Sequence, residues 1–342
     1  MKQFSQLNLQ TPYLLFIGDT DNLTAAKTAS GIVQWRPELV AGQLRFKGNP
    51  LDLGVKDLTI EEAVNLGVKS LVIGVAPIGG NIDQHWLDVL RQAANAGLDI
   101  VSGLHIALED IPQLQEIADL NQVALINVRT PPKRLPIANG LKRPGKRLLT
   151  VGTDCAVGKK YTALSLVQSM KKQSIKAKFC ATGQTGIMLE GNGIPIDAVV
   201  ADFVSGAAEC VSPATSDDLW SVIEGQGSLY HPAYAAVSLG LLHGSQPDAI
   251  VVCHDATRTT IAGFDDYPVP NIAECISENL RAARLTNPNV VCIGVSINTS
   301  GLPKTNRVQY LQDVSAILEL PCVDPLIDGC DAITQNLINH FD

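Results

Sequence analysis

The stretch LLTVGTDCAVGKKYTALSL, Leu148–Leu166, decides how this chain is read. An apolar run ends at Gly152 and a helical pattern opens at Lys159. A strand, a glycine-bounded loop and a helix form the setting in which backbone N–H groups face a phosphate and a lysine adds charge. Two departures matter. Five residues, not four, separate Gly152 from Gly158, and Lys160 stands where a Ser or Thr usually binds magnesium. The loop Gly152, Thr153, Asp154, Cys155, Ala156, Val157, Gly158, Lys159, Lys160 therefore reads as a phosphate grip. Nucleotide hydrolysis is the weaker reading. A lysine does not coordinate magnesium, and Thr162 lies two residues further on. A second lysine suits a ligand rich in phosphate.

Working outward, the chain has 342 residues, which favours two domains over one core. Hydrophobic residues make up 46% and charged residues 18%, as in a well-buried α/β protein. The formal net charge of −8 argues against general affinity for nucleic acid or anionic membranes. The N-terminal MKQFSQLNLQTPY has no apolar signal-peptide core, and no apolar run is long enough to span a bilayer. A cytoplasmic protein is expected. The eight Cys make no C-x-x-C pair, and H-x-x-x-H and H-E-x-x-H are absent, so no metal site is expected. Most of these thiols lie in apolar segments and read as reduced and buried.

Residues 1–130 alternate short β-branched runs with helical patterns, which indicates parallel βαβ units in a Rossmann-like domain. YLLFIG, SLVIGVA, LDIVSG and VALINV read as strands. NLTAAKTASGIV, IDQHWLDVLRQAANAG and IPQLQEIADLN read as helices. Gly79 and Gly80 fall between a strand and a helix, where either a ligand or a tight turn accounts for them. Residues 131–146, rich in Pro, Gly and basic groups, read as a linker. Residues 147–342 resume the alternation as a P-loop NTPase-like parallel-sheet domain. RLLTVG, AKFCATG, DAVVADF, PDAIVVCHD and NVVCIGVSINT are its expected strands. Its helices are Lys159–Lys172, PAYAAVSLGLLHG, IAECISENLRAARLT with apolar positions Ile272, Ile276, Leu280 and Ala283, RVQYLQDVSAILEL and CDAITQNLINH.

The loop GTDCAVGKK resembles that of dethiobiotin synthetase, and CATGQTG, VIEGQGS and VSINTSG resemble later segments of that enzyme class. The resemblance covers residues 147–340. Asn298 then sits where those enzymes recognise adenine. A fuller resemblance is carried by GTDCAVGKK, ATGQTGIMLEG, DFVSGAAE, IEGQGSLYHPAY, LGLLHG and VVCHDATR, in that order, with GVAPIGG and IVSGLH before them. On these motifs the chain is identified as a member of the D-glutamate N-acetyltransferase family. That resemblance implies acetyl transfer from acetyl-CoA to the amino group of D-glutamate or a similar acidic amino acid. It also implies a homo-oligomer. A loop that has lost its Ser/Thr and gained a lysine suits a coenzyme whose phosphates are held and not cleaved.

Attack on a thioester needs a base for the amine proton, donors for the developing oxyanion, and cations for substrate carboxylates. Candidate bases are Glu224, in a Gly-rich loop at a strand end, His231 in SLYHP, His254 with Asp255 beside it in VVCHDATR, and Asp202 and Glu209 in ADFVSGAAE. Arg258 is a candidate clamp for a carboxylate. Gln184, Thr185, Asp202, Ser205 and Glu209 are candidate substrate contacts, and Asp202 or Ser205 equally reads as a helix cap. Cys155 lies near a helix start, which can lower a thiol pKa; packing is the alternative. Two rival functions remain open. One is an ATP/Mg-dependent ligase or kinase, with Asp202 or Glu224 on the metal. The other is a nucleotide sensor without catalysis.

Overall fold

The computed structural model describes residues 7, 9–23, 25–75, 83–104 and 106–341. Gly79 and Gly80 lie outside these residues. The chain divides into two compact units. Unit 1 comprises Met1–Pro131 and Gln184–Pro195; unit 2 comprises Pro132–Gly183 and Ile196–Asp342.

Unit 1 is a five-stranded sheet of β1 (Tyr13–Gly18), β2 (Val40–Arg45), β3 (Ser70–Ile73), β4 (Asp99–Ser102) and β5 (Leu125–Asn127), in the order β2-β1-β3-β4-β5. Every pairing is parallel. All six residues of β1 are buried, as an unbroken apolar run in a covered parallel strand requires. Its helices are α1 (Lys27–Trp35), α2 (Ile60–Asn65), α3 (Gln84–Asn95) and α4 (Leu114–Asn121). On α3 the buried positions Trp86, Leu90, Ala93 and Ala94 fall on one stripe at helical spacing. The sequence reading did not find β2. Its pattern is broken by Gly42, where a Cβ would collide with Leu58 at 2.7 Å, and by buried Gln43. Gln43 is tolerated because its side chain serves a loop, donating to Asp52 at 2.9 Å and Val55 O at 3.1 Å and accepting from Leu53 N–H at 2.9 Å.

Unit 2 opens with β6 (Lys146–Gly152), α5 (Lys159–Lys172) and β7 (Lys176–Cys180). The chain then leaves this unit as α6 (Gln184–Glu190), which packs with α1 in unit 1. It returns for α7 (Val204–Val211), β8 (Leu219–Ile223), α8 (Ala235–Ser245) and β9 (Ala249–Asp255). A hairpin follows, β10 (Thr260–Ile261) and β11 (Phe264–Pro268), then α9 (Ile272–Ala283), β12 (Val291–Asn298), α10 (Arg307–Leu318), β13 (Cys322–Val323) and α11 (Asp331–Phe341). The six-stranded sheet runs β13-β12-β9-β6-β8-β7. Its strands are all parallel. β6 is central, with successive connections departing to either side of it. This is the switch point at which open α/β sheets bind ligands, outside the carboxyl ends of the strands.

Four features depart from the sequence reading or add to it. DAVVADF is not a strand. It forms two 3-10 turns, Ile196–Ala198 and Ala201–Phe203, with Val200 68% exposed. α7 was hidden by its small residues, which let it lie close to α8: a Cβ on Gly244 would strike Ala208 at 2.7 Å. On α9 the buried stripe is Cys275, Asn279 and Ala283, turned from the predicted face so that only Ala283 is shared. Finally, the linker 131–146 is mostly exposed, but Arg143 within it and Arg147 in β6 are not. Arg143 is 9% and Arg147 1% exposed. Their guanidinium groups donate to carbonyls of Ser212, Pro213, Arg143, Pro144, Gly145 and Gly244. Arg143 also has the buried Glu209 carboxylate 3.7 Å away, and carbonyl dipoles supply the rest of its partners.

Candidate active site

The site is built at the carboxyl end of β6. Gly152 is the last residue of the strand, and glycine is needed there because a Cβ would meet Val157 at 2.8 Å. Ala156 takes φ +55° and Gly158, the residue before α5, φ +99°. The loop thus turns its backbone toward the start of α5. Lys159 is 7% exposed and its Nζ donates to Asp154 O at 2.7 Å. Burial holds its pKa below the usual lysine range. The Nζ of Lys160 lies 4.4 Å from the Tyr161 ring centre. The Thr162 hydroxyl is held by Ser296 at 2.7 Å and Gly158 O at 3.1 Å. Burial pushes the Cys155 thiol up, opposite to what an activated nucleophile needs.

Two consecutive loop residues grip the end of β9. Thr153 N–H donates to Cys253 O at 3.0 Å, and its hydroxyl meets His254 Nδ1 at 3.0 Å. Asp154 is fully buried. One of its oxygens accepts from Cys155 N–H at 2.6 Å. The other accepts from Arg258 Nη1 and from Ala262 N–H, each at 2.8 Å. Arg258 Nη1 also donates to Cys155 O at 2.8 Å. The expected substrate clamp is therefore, at Nη1, a clamp on the loop itself. Asp255 does not orient His254. It accepts from Thr257 at 2.8 Å and Asn298 at 2.9 Å. Burial raises its pKa, but these bonds outweigh burial and leave it below the ordinary carboxylate value. Asn298 also accepts from Ser300 N–H at 3.1 Å, so each end of its amide makes one bond within the turn. Burial lowers the pKa of His254, partly offset by Asp255, so the ring is neutral at pH 7.

The loop after β8 lies against the same strand end. Gly225 N–H donates to Thr150 Oγ1 at 2.9 Å, and a Cβ at Gly225 would run into the Lys159 side chain at 2.9 Å. Glu224 is 4% exposed, with one oxygen accepting from Thr182 and Gly183 N–H, each at 3.0 Å. Burial raises its pKa; these bonds and the charge of Lys160 pull only part of the way back. A carboxylate so raised destabilises the fold where it is charged, and the cost disappears as pH falls through its folded pKa. Glu224→Gln keeps an acceptor for both N–H groups and removes the charge. It is expected to melt about 2–4 °C higher at pH 8, with the gap closing toward acid pH. An equal or lower melting temperature at pH 8 in calorimetry would refute this.

His231 is 2% exposed. Its Nδ1 accepts from Ala233 N–H at 3.2 Å, which leaves Nε2 to donate to Ala262 O at 3.3 Å. The ring stacks on Tyr234 with centroids 4.5 Å apart. Both nitrogens are engaged, so no lone pair is free for a proton. Ligand atoms of Asp154, Cys155 and His231 lie within 4.8 Å of one another. Asp154 is bonded to Arg258 and His231 to backbone, so this cluster reads as a hydrogen-bonded seam between the loop and the hairpin.

The comparisons with known proteins agree with this architecture. Residues 136–334 match the model described as Domain of unknown function (DUF1611_C) P-loop domain, and residues 47–131 match the DUF1611_N Rossmann-like domain. A protein of Tritonibacter scottomollicae named D-glutamate N-acetyltransferase is 46% identical over 329 residues, 96% of this chain and 99% of that protein. The chain belongs to the DUF1611 family. A second protein of the same name, from a Pseudoalteromonas species, is 46% identical over 97% of this chain and 100% of its own length. The crystal structure of a DUF1611 family protein from Anabaena variabilis superimposes with a TM-score of 0.86 at 31% identity, covering 96% of this chain and all of that one. The Rossmann-like and P-loop folds expected from the sequence are thus those of the family. No helix among the described residues is long and apolar enough to cross a membrane.

Several residues singled out in the DUF1611 sequence lie apart from the strand-end cluster. Glu209 spends both oxygens on linker N–H groups, at Asn139 (3.1 and 3.2 Å) and Gly140 (3.0 Å). Ser205 donates to Gly240 O at 3.0 Å, which ties α7 to α8. Asp202 is exposed and makes no cap bond. Gln184 and Thr185 belong to unit 1, where Gln184 covers Gly103 and the Thr185 hydroxyl meets Thr28 at 3.2 Å. Conversely, Thr150, Thr182 and Ala262 organise the site and were not singled out. The first carried a signal, a lone hydroxyl inside an apolar strand. Ala262 acts through its backbone, which no side-chain pattern records; only Gly263, with φ +80°, marked the turn.

Proposed function

We propose that this protein transfers an acetyl group from acetyl-CoA to the amino group of D-glutamate or a similar acidic amino acid. The observation that carries this is the near full-length, 46% identity to two proteins named D-glutamate N-acetyltransferase. The loop supports it. Backbone N–H groups at the start of α5, with Lys159 and Lys160, suit the phosphates of a coenzyme. The magnesium position is a lysine, and the nearby Thr162 hydroxyl is already bonded within the protein. These features favour a loop that holds phosphates over one that cleaves them.

In this reading His254 is the general base. It lies at a strand carboxyl end, its ring is neutral, and only Nδ1 has a hydrogen-bond partner in the loop. It takes the proton of the substrate ammonium, and the freed amine attacks the thioester carbonyl. As the carbon–sulfur bond breaks, the nitrogen gives up its second proton and the departing thiolate takes one up, so that amide and free thiol are formed. Glu224, fastened to two N–H groups, holds the 182–183 turn against the loop.

The test is thiol release from acetyl-CoA with purified protein, without ATP or magnesium, with D-glutamate and with L-glutamate in parallel. Release that requires D-glutamate is expected. Folded protein giving no release with either enantiomer would overturn the reading, and dependence on ATP and magnesium would move it to the ligase or kinase class.

A further inference from the structure

We infer that Thr153 is a positioning residue for the transfer step, one that sets the tautomer and charge state of His254 from within the phosphate-binding loop. The inference rests on the reading of His254 as base. It starts from geometry. Thr153 has no exposed surface, and its backbone is pinned to the sheet by Cys253 O. Its hydroxyl therefore has little freedom of place. It meets Nδ1 of His254 at 3.0 Å, and no other partner competes for it among the described contacts.

A base working through Nε2 must carry its resting proton on Nδ1. A hydroxyl oxygen at hydrogen-bond distance can accept that proton, fixing the ring plane and leaving the Nε2 lone pair free. When Nε2 takes the amine proton, both ring nitrogens become donors. The same oxygen then accepts from a charged N–H, a stronger bond than before. Thr153 thus stabilises the imidazolium as it forms, against a burial that disfavours it. The other charged groups bearing on His254 are Asp255, which favours the proton, and Arg258, which opposes it. Arg258 is itself neutralised by Asp154 of the same loop. In Ser-His-Asp hydrolases a buried carboxylate plays this part beside the catalytic histidine; here a neutral hydroxyl takes it. It also makes base and loop one unit, since residues 153 and 154 hold positions 254 and 258 in turn.

The test uses Thr153→Val, which keeps shape and removes the oxygen, and Thr153→Ser, which restores it. Nitrogen-15 NMR of the free protein should find the Nδ1-protonated tautomer at His254 in the parent and in Thr153→Ser. In Thr153→Val the preference should be lost and the ring should titrate about half to one pH unit lower. In turnover, Thr153→Val should lose about tenfold in kcat, with the acid limb of its pH profile moved down and Thr153→Ser near the parent. An unchanged tautomer and titration in Thr153→Val overturns the inference, as does a Thr153→Ser protein that behaves like Thr153→Val. The NMR arm needs no substrate, so it stands even where the acetyl-transfer reading fails.

Discussion

His254→Ala is expected to lower kcat for acetylation of D-glutamate by about 10²- to 10⁴-fold, the span of a general base, while KM for acetyl-CoA stays within about threefold. The asymmetry is the informative part. His254 meets the loop only through the Thr153 hydroxyl, and the cations assigned to the phosphates are Lys159 and Lys160. Removing the imidazole should therefore spare cofactor binding and remove a group needed once the amine must lose its proton. His254→Gln keeps polarity near the same volume and guards against a trivial packing defect, since the side chain is only 9% exposed. The pH profile gives a second reading. Burial lowers the His254 pKa, so the base is charged and inactive only below the ordinary imidazole range. Activity should persist as pH falls through about 6.5 and decline below it. Steady-state kinetics on both variants decide the matter. A fall of less than about fivefold would move the base elsewhere, Glu224 first, and Glu224→Gln would then have to be nearly inactive.

The competition between these two groups shows where sequence reading stops. Both are visible as polar residues at the ends of apolar strands, and the chain order places both near the loop. Their different surroundings are not visible. Glu224 is committed because Thr182 and Gly183, some forty positions earlier, point two N–H groups at one of its oxygens. His231 looked equivalent to His254, but Ala233 and Ala262 take both its nitrogens. Asp255 stood next to His254 in sequence and pairs with Asn298 instead, because adjacent residues of a strand point to opposite faces. Pattern placed β1, β6 and β9, whose apolar runs are unbroken, and α5, which opens directly after Gly158. It failed for β2 and α7, where glycines permit close backbone approach, and for DAVVADF, where β-branched residues sit on a solvent-exposed turn. The fold was legible through what it buries, and the site only through contacts between distant segments.

Lys159→Ala should raise KM for acetyl-CoA by about 10- to 100-fold, the worth of one hydrogen bond to a charged group. In the structure this ammonium donates to Asp154 O, a contact that a phosphate oxygen would replace with a stronger, charge-assisted one. Two features separate phosphate binding from a structural role. The first is the donor. With S-acetyl-N-acetylcysteamine, a thioester without phosphates, the parent and the variant should differ by less than about twofold. A loop that had merely collapsed would be slower with both donors. Lys159→Met, which fills the buried space, should follow the same pattern. The second feature is pH. Burial holds the Lys159 pKa down, while a bound phosphate favours its charged form. Affinity for acetyl-CoA should then weaken as pH rises through that lowered pKa, earlier than an ordinary lysine would allow, and the dependence should vanish in Lys159→Ala. If the variant loses activity equally with the phosphate-free donor, Lys159 supports the loop and something else must hold the coenzyme. Lys160 is the next group to test, because it follows in the first turn of α5 and its charge reaches Glu224 across the site.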